Sequence, residues 1–129
     1  MPIKPDYTIH GDKCHYGWNR SIEPVVKVSP GSILEIEAVD AGGGQITSDS
    51  TLEDVKNIDF DRVNPVTGPV YVDGVEPGDA LKVTILSLKP SGWGWSAVIP
   101  GLARRRWWKK YSDRYLKKVA TSYRGNSTS

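Results

Sequence analysis

Two stretches of the sequence gather residues able to do chemistry. In the first, Ile33-Leu34-Glu35-Ile36-Glu37-Ala38-Val39 alternates, with Leu34, Ile36 and Ala38 on one face and Glu35 and Glu37 on the other. That is the period of a half-buried strand. Continuing the alternation puts Asp40 on the apolar face, where an unpaired carboxylate is costly and must find a donor, a cation or a water-lined cavity. Directly after it comes Ala41-Gly42-Gly43-Gly44-Gln45, whose glycines let the backbone approach another group closely. The alternative is that the strand ends at Val39 and Asp40 simply starts a Gly-rich turn. In the second stretch, His10, Asp12, Cys14 and His15 fall within six residues. These are the side chains that bind transition metals, although their spacing matches no established zinc pattern and a structural site would need ligands from elsewhere. A histidine with its hydrogen bonds satisfied within a loop, or one at the surface, fits the same residues. Nucleophile elbow, phosphate loop and H-E-x-x-H patterns are all absent from the sequence.

The elements that must hold these residues are mostly strands. A second alternating run, Leu81-Lys82-Val83-Thr84-Ile85-Leu86, places Leu81, Val83 and Ile85 on one face, and residues 25–28 and 70–72 make shorter strands. Residues 28–36 and 75–83 match as V-x-P-G-[S/D]-x-L-x-[I/V], 47 residues apart. In each copy Pro presets the first turn position and Gly accepts positive φ at the second, so each is a turn that launches a strand. Asn64-Pro65-Val66-Thr67-Gly68-Pro69 reads as a rigid loop. One short helix is expected from Ser50, where Ser50-Thr51-Leu52-Glu53 fits a capping box and Asn57 can close the helix. These elements imply an all-β fold, an antiparallel sandwich or partly open barrel with one short helix.

Composition narrows the classes further. At 129 residues, 38% apolar and with one cysteine, the chain is sized for one domain and is neither a disordered segment nor a disulfide scaffold. It has no apolar run long enough for a transmembrane helix and no signal-peptide core, which makes a cytoplasmic protein the expectation. The net charge of +2 conceals a split: residues 1–100 carry a net −6 and residues 101–129 a net +8. A basic tail therefore follows the β region. If helical, it aligns Trp108, Tyr111, Tyr115 and Val119 on one face among Arg and Lys, a pattern suited to a polyanionic or protein partner.

Several motifs in this order resemble one family. His15-x-x-Trp18 is followed by Pro24, the Pro30-Gly31 turn and Asp40-Ala41-Gly42-Gly43-Gly44-Gln45. Next comes the long segment from Asp59 to Asp79, containing N-P-V-T-G-P-V-Y-V-D-G-V-E-P-G-D, and then Gly92-Trp93-Gly94-Trp95-Ser96-Ala97-Val98-Ile99-Pro100-Gly101. Over residues 7–101 the sequence is similar to the acetamidase/formamidase family. That resemblance implies a β-rich cytoplasmic hydrolase that converts short linear amides to carboxylate and ammonia, with a divalent metal, zinc, as cofactor. It implies Asp40 as a metal ligand or water-orienting carboxylate, with His15 as a second ligand and Gln45 lining the same pocket. It also implies a small amide as substrate. A shortened β domain would leave apolar faces uncovered, so a homo-oligomer is expected, without a specific nucleic acid or membrane partner.

The departures from the family pattern set further expectations. Typical members are more than twice as long, and their second half carries motifs, including a His-Gly-Gly-Asn-like stretch, that are missing here. The resemblance stops at Gly101, where the charge balance flips, so residues 1–101 are read as the family-like β domain and 102–129 as a basic tail outside it. A change of reading frame followed by an early stop would produce both signs. Two functions follow: a truncated amidase with an incomplete site, or a non-catalytic β-domain binding or assembly module that uses the tail for a partner.

Overall fold

The computed structural model describes residues 2–98 and 115–120. In chain order its elements are β1 (Tyr7–Ile9), β2 (Cys14–His15), β3 (Val26–Val28), β4 (Leu34–Ile36), α1 (Leu52–Lys56), a 3-10 turn (Phe60–Arg62), β5 (Val66–Thr67), β6 (Val70–Val72), β7 (Trp93–Val98) and β8 (Tyr115–Ala120). The fold is thus mostly strands with one helix. Among the described residues the strands form two-stranded pairs and close no barrel. No helix among them is long and apolar enough to cross a membrane. The chain divides into two compact units, Met1–Gly44 with Asp59–Lys82, and Gln45–Ile58 with Val83–Ser129.

In the first unit β1 pairs with β4 and β3 with β6, both parallel, while β2 and β5 are antiparallel. Two of these three pairings therefore depart from the antiparallel expectation. The short strands near residues 25–28 and 70–72 both form and find each other, and the ladder is extended by Val25 N–H to Pro69 O (2.9 Å) and Asp73 N–H to Val28 O (2.8 Å). Ile9 and Val28 are the buried apolar side chains of this unit among the described residues.

Both Pro-Gly turns are present. Ser32 N–H donates to Ser29 O (3.2 Å) with Gly31 at φ +88°, and Asp79 N–H donates to Glu76 O (3.0 Å) with Gly78 at φ +103°. Proline at the first of the two central positions and positive φ at the second define type II geometry. Only the first turn launches a paired strand. The run from Leu81 to Leu86, expected as a strand, has no ladder partner among the described residues, and its face of Leu81, Val83 and Ile85 is exposed. Alternation supplies the pattern for a strand, but the strand itself forms only when a neighbour takes up its backbone groups.

In the second unit Ile46, Val55 and Ile58 are buried, with Ile46 only 2% exposed. The helix begins one residue later than expected. Thr51 caps it: the Thr51 N–H (2.6 Å) and the Thr51 hydroxyl (3.1 Å) both reach Asp54 Oδ2, so the reciprocal pair is Thr51 and Asp54 rather than Ser50 and Glu53. Ser50 Oγ is occupied instead in accepting the Thr47 N–H (2.9 Å). Asn57 ends the helix, as the sequence suggests. Strands β7 and β8 pair antiparallel over six residues, from Trp93 opposite Ala120 to Val98 opposite Tyr115. Tyr115 and Val119, placed on a helical face by the 3.6-residue reading, therefore lie in a strand. These residues show no apolar–polar alternation, and pairing with β7 is what makes them a strand. Trp108 and Tyr111 lie outside the described residues.

Candidate active site

The Gly-rich motif folds into a tight loop organised by Asp40. Strand β4 ends at Ile36, so the alternation that would carry Asp40 onto a buried face stops short of it. Ile36 itself is 50% exposed, Ala38 is exposed and so is Asp40. The expected burial of Asp40 is therefore corrected, and the alternative reading, in which the strand ends first and Asp40 starts a Gly-rich turn, is the one that forms: a three-residue strand cannot project its register four residues beyond its end. The carboxylate turns back on its own loop. Gly42 N–H donates to Oδ2 (2.9 Å) and Gly44 N–H to Oδ1 (2.7 Å), while the Asp40 carbonyl accepts from Gly43 N–H (2.8 Å). Gly43 and Gly44 sit at φ +69° and +74°, where residues with a Cβ are strained. A carboxylate offers about four lone-pair positions and only accepts, so the loop's amides are suited to it as donors.

Backbone bonds bring three of the family-like motifs together within the first unit. Asn64 N–H donates to Ala41 O (2.8 Å), tying N-P-V-T-G-P to the Asp40 loop. Strand β5, inside that segment, pairs with β2, setting Val66 opposite His15 and Thr67 opposite Cys14. The expected rigid loop is thus partly a strand. Gly68 N–H to Lys13 O (2.9 Å) and Thr67 Oγ1 to Glu37 O (2.7 Å) complete the connection.

His15 is half-buried, and its Nδ1 lies 2.9 Å from Gly17 O. A carbonyl only accepts, so Nδ1 carries the proton and the neutral ring keeps its lone pair on Nε2, available to a cation or a proton. The Trp18 ring stands edge-on to it, with centroids 6.1 Å apart at 72°, and is itself 89% exposed. Gln45 is half-buried and opens the second unit.

The other members of the His10–His15 cluster diverge. His10 Nδ1 faces Glu37 Oε1 (3.2 Å), Asp12 lies 3.8 Å from Lys13 Nζ, and Cys14 Sγ is 3.9 Å from the Tyr16 hydroxyl. Among the described residues no group of three His, Cys, Asp or Glu side chains is placed to hold a metal ion. The described donor set therefore does not fit a zinc site, which keeps at least three protein ligands.

The partners of Glu37 are a feature that the sequence pattern passed over. Its Oε2 accepts Gly11 N–H (3.1 Å) and its Oε1 meets His10. The Gly11 bond first, and the His10 bond second, hold its carboxyl below the usual carboxylate range, with burial pulling weakly the other way. The signal is the parallel register of β1 and β4: Ile9 opposite Ile36 brings the next residues, His10 and Glu37, side by side. Lys27 was passed over likewise. It pairs with Asp73 (2.9 Å), which raises its pKa, and lies 5.2 Å from the Tyr71 ring centroid.

With this geometry in place, comparison with known proteins is decisive. The model of the acetamidase/formamidase family matches residues 3–125. The chain belongs to that family. The match runs past Gly101, where the motif-by-motif resemblance stops, and takes in β8. Among curated relatives, the acetamidase of Mycolicibacterium smegmatis is 34% identical over 94 residues, spanning 65% of this chain and 23% of the relative. The formamidase of Methylophilus methylotrophus is 33% identical over 87 residues, spanning 65% of this chain and 21% of the relative. The crystal structure of an acetamidase from Bacillus halodurans superposes with a TM-score of 0.75 at 28% identity, covering 88% of this chain and 37% of that one. The acetamidase/formamidase region present here thus spans about a fifth of the length of these curated relatives.

Proposed function

We propose that this chain carries part of the site of an amidase that hydrolyses short linear amides of the formamide and acetamide type. In that reaction water adds to the amide carbonyl carbon and the C–N bond breaks. The nitrogen takes up a proton and leaves as ammonia, and the acyl group leaves as a carboxylate. The observation that carries the reading is the Asn64 N–H bond to Ala41 O together with the β2–β5 pairing, which gather D-A-G-G-G, N-P-V-T-G-P and His15 in one unit.

Each proposed role follows from the chemistry of the residue. Asp40, fixed by two glycine amides, orients the attacking water or accepts its proton. His15 offers Nε2 as a second acceptor on the same unit. Gln45, which the resemblance also implies, belongs to the second unit and is given no role beside them. Zinc is the metal that the family resemblance implies, with Asp40 and His15 as its ligands. Those two donors fall short of a catalytic set, so no step is assigned to a metal. The described residues thus make an incomplete site, and we expect the chain alone to turn over poorly.

Titrating acetamide into isotopically labelled protein tests the reading. The expected result is a saturable shift of the Gly42, Gly43, Gly44 and His15 amide resonances that is lost in Asp40→Asn. Shifts absent from this loop, or unchanged by the substitution, would remove it from the site.

A further inference from the structure

The Lys27–Asp73 ion pair borders a cavity that the amidase reading does not use. Among the described residues, Pro24, Val26, Lys27 and Tyr71 line a space of about 330 Å³. All four, with Asp73, belong to the first unit. That volume stands at the lower end of the range for small-molecule sites, and it is more than formamide or acetamide needs. Strands β3 and β6 run parallel with Lys27 opposite Tyr71. Side chains alternate along a strand, so Lys27, Tyr71 and Asp73 share one face of this pair. Lys27 Nζ lies 2.9 Å from Asp73 Oδ1 and 5.2 Å from the centroid of the Tyr71 ring.

The charges of the pair decide what the cavity takes. An ammonium has three N–H donors and the Asp73 bond uses one, so two remain for a ligand. A carboxylate only accepts, and Asp73 keeps acceptor positions beside Lys27. The cavity thus has a donor and an acceptor side by side, next to the apolar surfaces of Pro24, Val26 and the Tyr71 ring. A carboxylate drawn to Lys27 would meet Asp73, and an ammonium drawn to Asp73 would meet Lys27. A neutral primary amide meets neither repulsion. Its oxygen accepts from Nζ and its NH2 donates to the carboxylate, and the 2.9 Å between the two protein atoms lets one amide reach both. The apolar walls, and the room left beyond the amide, suit a flat apolar body attached to it.

We propose that the cavity beside the Lys27–Asp73 pair is a binding site for aromatic primary carboxamides, of which benzamide is the simplest. The pair recognises the amide, and Pro24, Val26 and Tyr71 hold the ring. The proposal is independent of the amidase reading, because Asp40, His15 and Gln45 take no part in it.

Titrating benzamide into the isotopically labelled full chain at neutral pH tests it. The expected result is a saturable shift of the Val26, Lys27, Tyr71 and Asp73 amide resonances. Benzoate and protonated benzylamine, similar in shape but charged, should bind there about fivefold more weakly or worse. Acetamide, which has the amide without the ring, should also bind more weakly. Lys27→Met removes the donor and should weaken benzamide about fivefold or more. Asp73→Asn removes the charge that repels carboxylates, so benzoate should then bind at least as well as benzamide. Both substitutions leave the Asp73 N–H bond to Val28 O in place, so circular dichroism should be unaltered. The benzamide shifts should persist in Asp40→Asn, whereas the acetamide shifts expected at the Asp40 loop should not, so either reading can fail without the other. The absence of a saturable benzamide shift at these residues overturns the proposal. So does benzoate, benzylamine or acetamide bound as tightly as benzamide to the wild type. Benzamide affinity indifferent to Lys27→Met, benzoate affinity indifferent to Asp73→Asn, or benzamide shifts that vanish in Asp40→Asn would overturn it as well.

Discussion

Replacing Asp40 by alanine removes two acceptors from the Gly-rich loop while leaving its backbone bonds in place. Gly42 and Gly44 lose partners at 2.9 and 2.7 Å, whereas Gly43 N–H keeps the Asp40 carbonyl and Ala41 O keeps Asn64 N–H. A typical intramolecular hydrogen bond contributes about 0.5–1.5 kcal/mol net, and more when one partner is charged. Asp40 is exposed, so water replaces part of what is lost, and the two bonds together are worth about 1–2 kcal/mol. Asn retains one acceptor oxygen, but its NH2 group cannot accept, so Asp40→Asn should cost about half as much as Asp40→Ala. Urea unfolding gives the two differences, and amide exchange at Gly42 and Gly44 reports the loop itself. The expected order is wild type, then Asn, then Ala, with faster exchange at both glycines in the alanine variant. Asp40→Ala as stable as wild type, with exchange unchanged, would refute the loop-organising role.

Other consequences follow from the same geometry. Glu37 has a lowered folded-state pKa, so its stabilising contribution is present above its ordinary value of 4.5 and is lost as pH falls through the folded value. The stability advantage of wild type over Glu37→Gln should therefore hold near neutrality and shrink on acidification below about pH 4.5, as acid-titrated urea curves would show. Thr51→Ala should cost about 1 kcal/mol by removing the helix cap, measured in the same way. Ile46→Ala should cost about 2–5 kcal/mol because that side chain is enclosed, whereas Ile36→Ala, half exposed, should cost less than about 1 kcal/mol. Trp18→Ala should leave stability within about 0.5 kcal/mol, because the indole is largely in solvent.

What could be read from sequence was set by interactions close along the chain. Both Pro-Gly turns form because Pro fixes one dihedral and Gly accepts the next, whatever lies elsewhere. The helix was legible for the same reason. Its start moved by one residue because Ser50 and Thr51 are both able to cap, and Glu53 and Asp54 both able to answer. The family motifs from His15 to Gly101 were equally readable, being strings of residue types. Strand partners were not. The parallel pairing of β1 with β4 joins residues 27 apart, and only that register makes neighbours of His10 and Glu37. The same blindness left Asp40 open between a buried face and the start of a turn, and made a paired strand of residues 81–86, since alternation records a strand's faces but not its length or its neighbour. Strand β8 went unseen because Tyr115 to Ala120 has no apolar–polar alternation to signal it, and only pairing with β7 makes it a strand.

The most direct test of the functional account is ammonia release from formamide and acetamide by the purified chain, with and without added zinc, beside a full-length relative. The account predicts turnover far below that of the relative, because Asp40 and His15 are too few donors to complete a site. Fast, chelator-sensitive release by this chain alone, abolished by Asp40→Asn, would contradict it and show that the site is already whole.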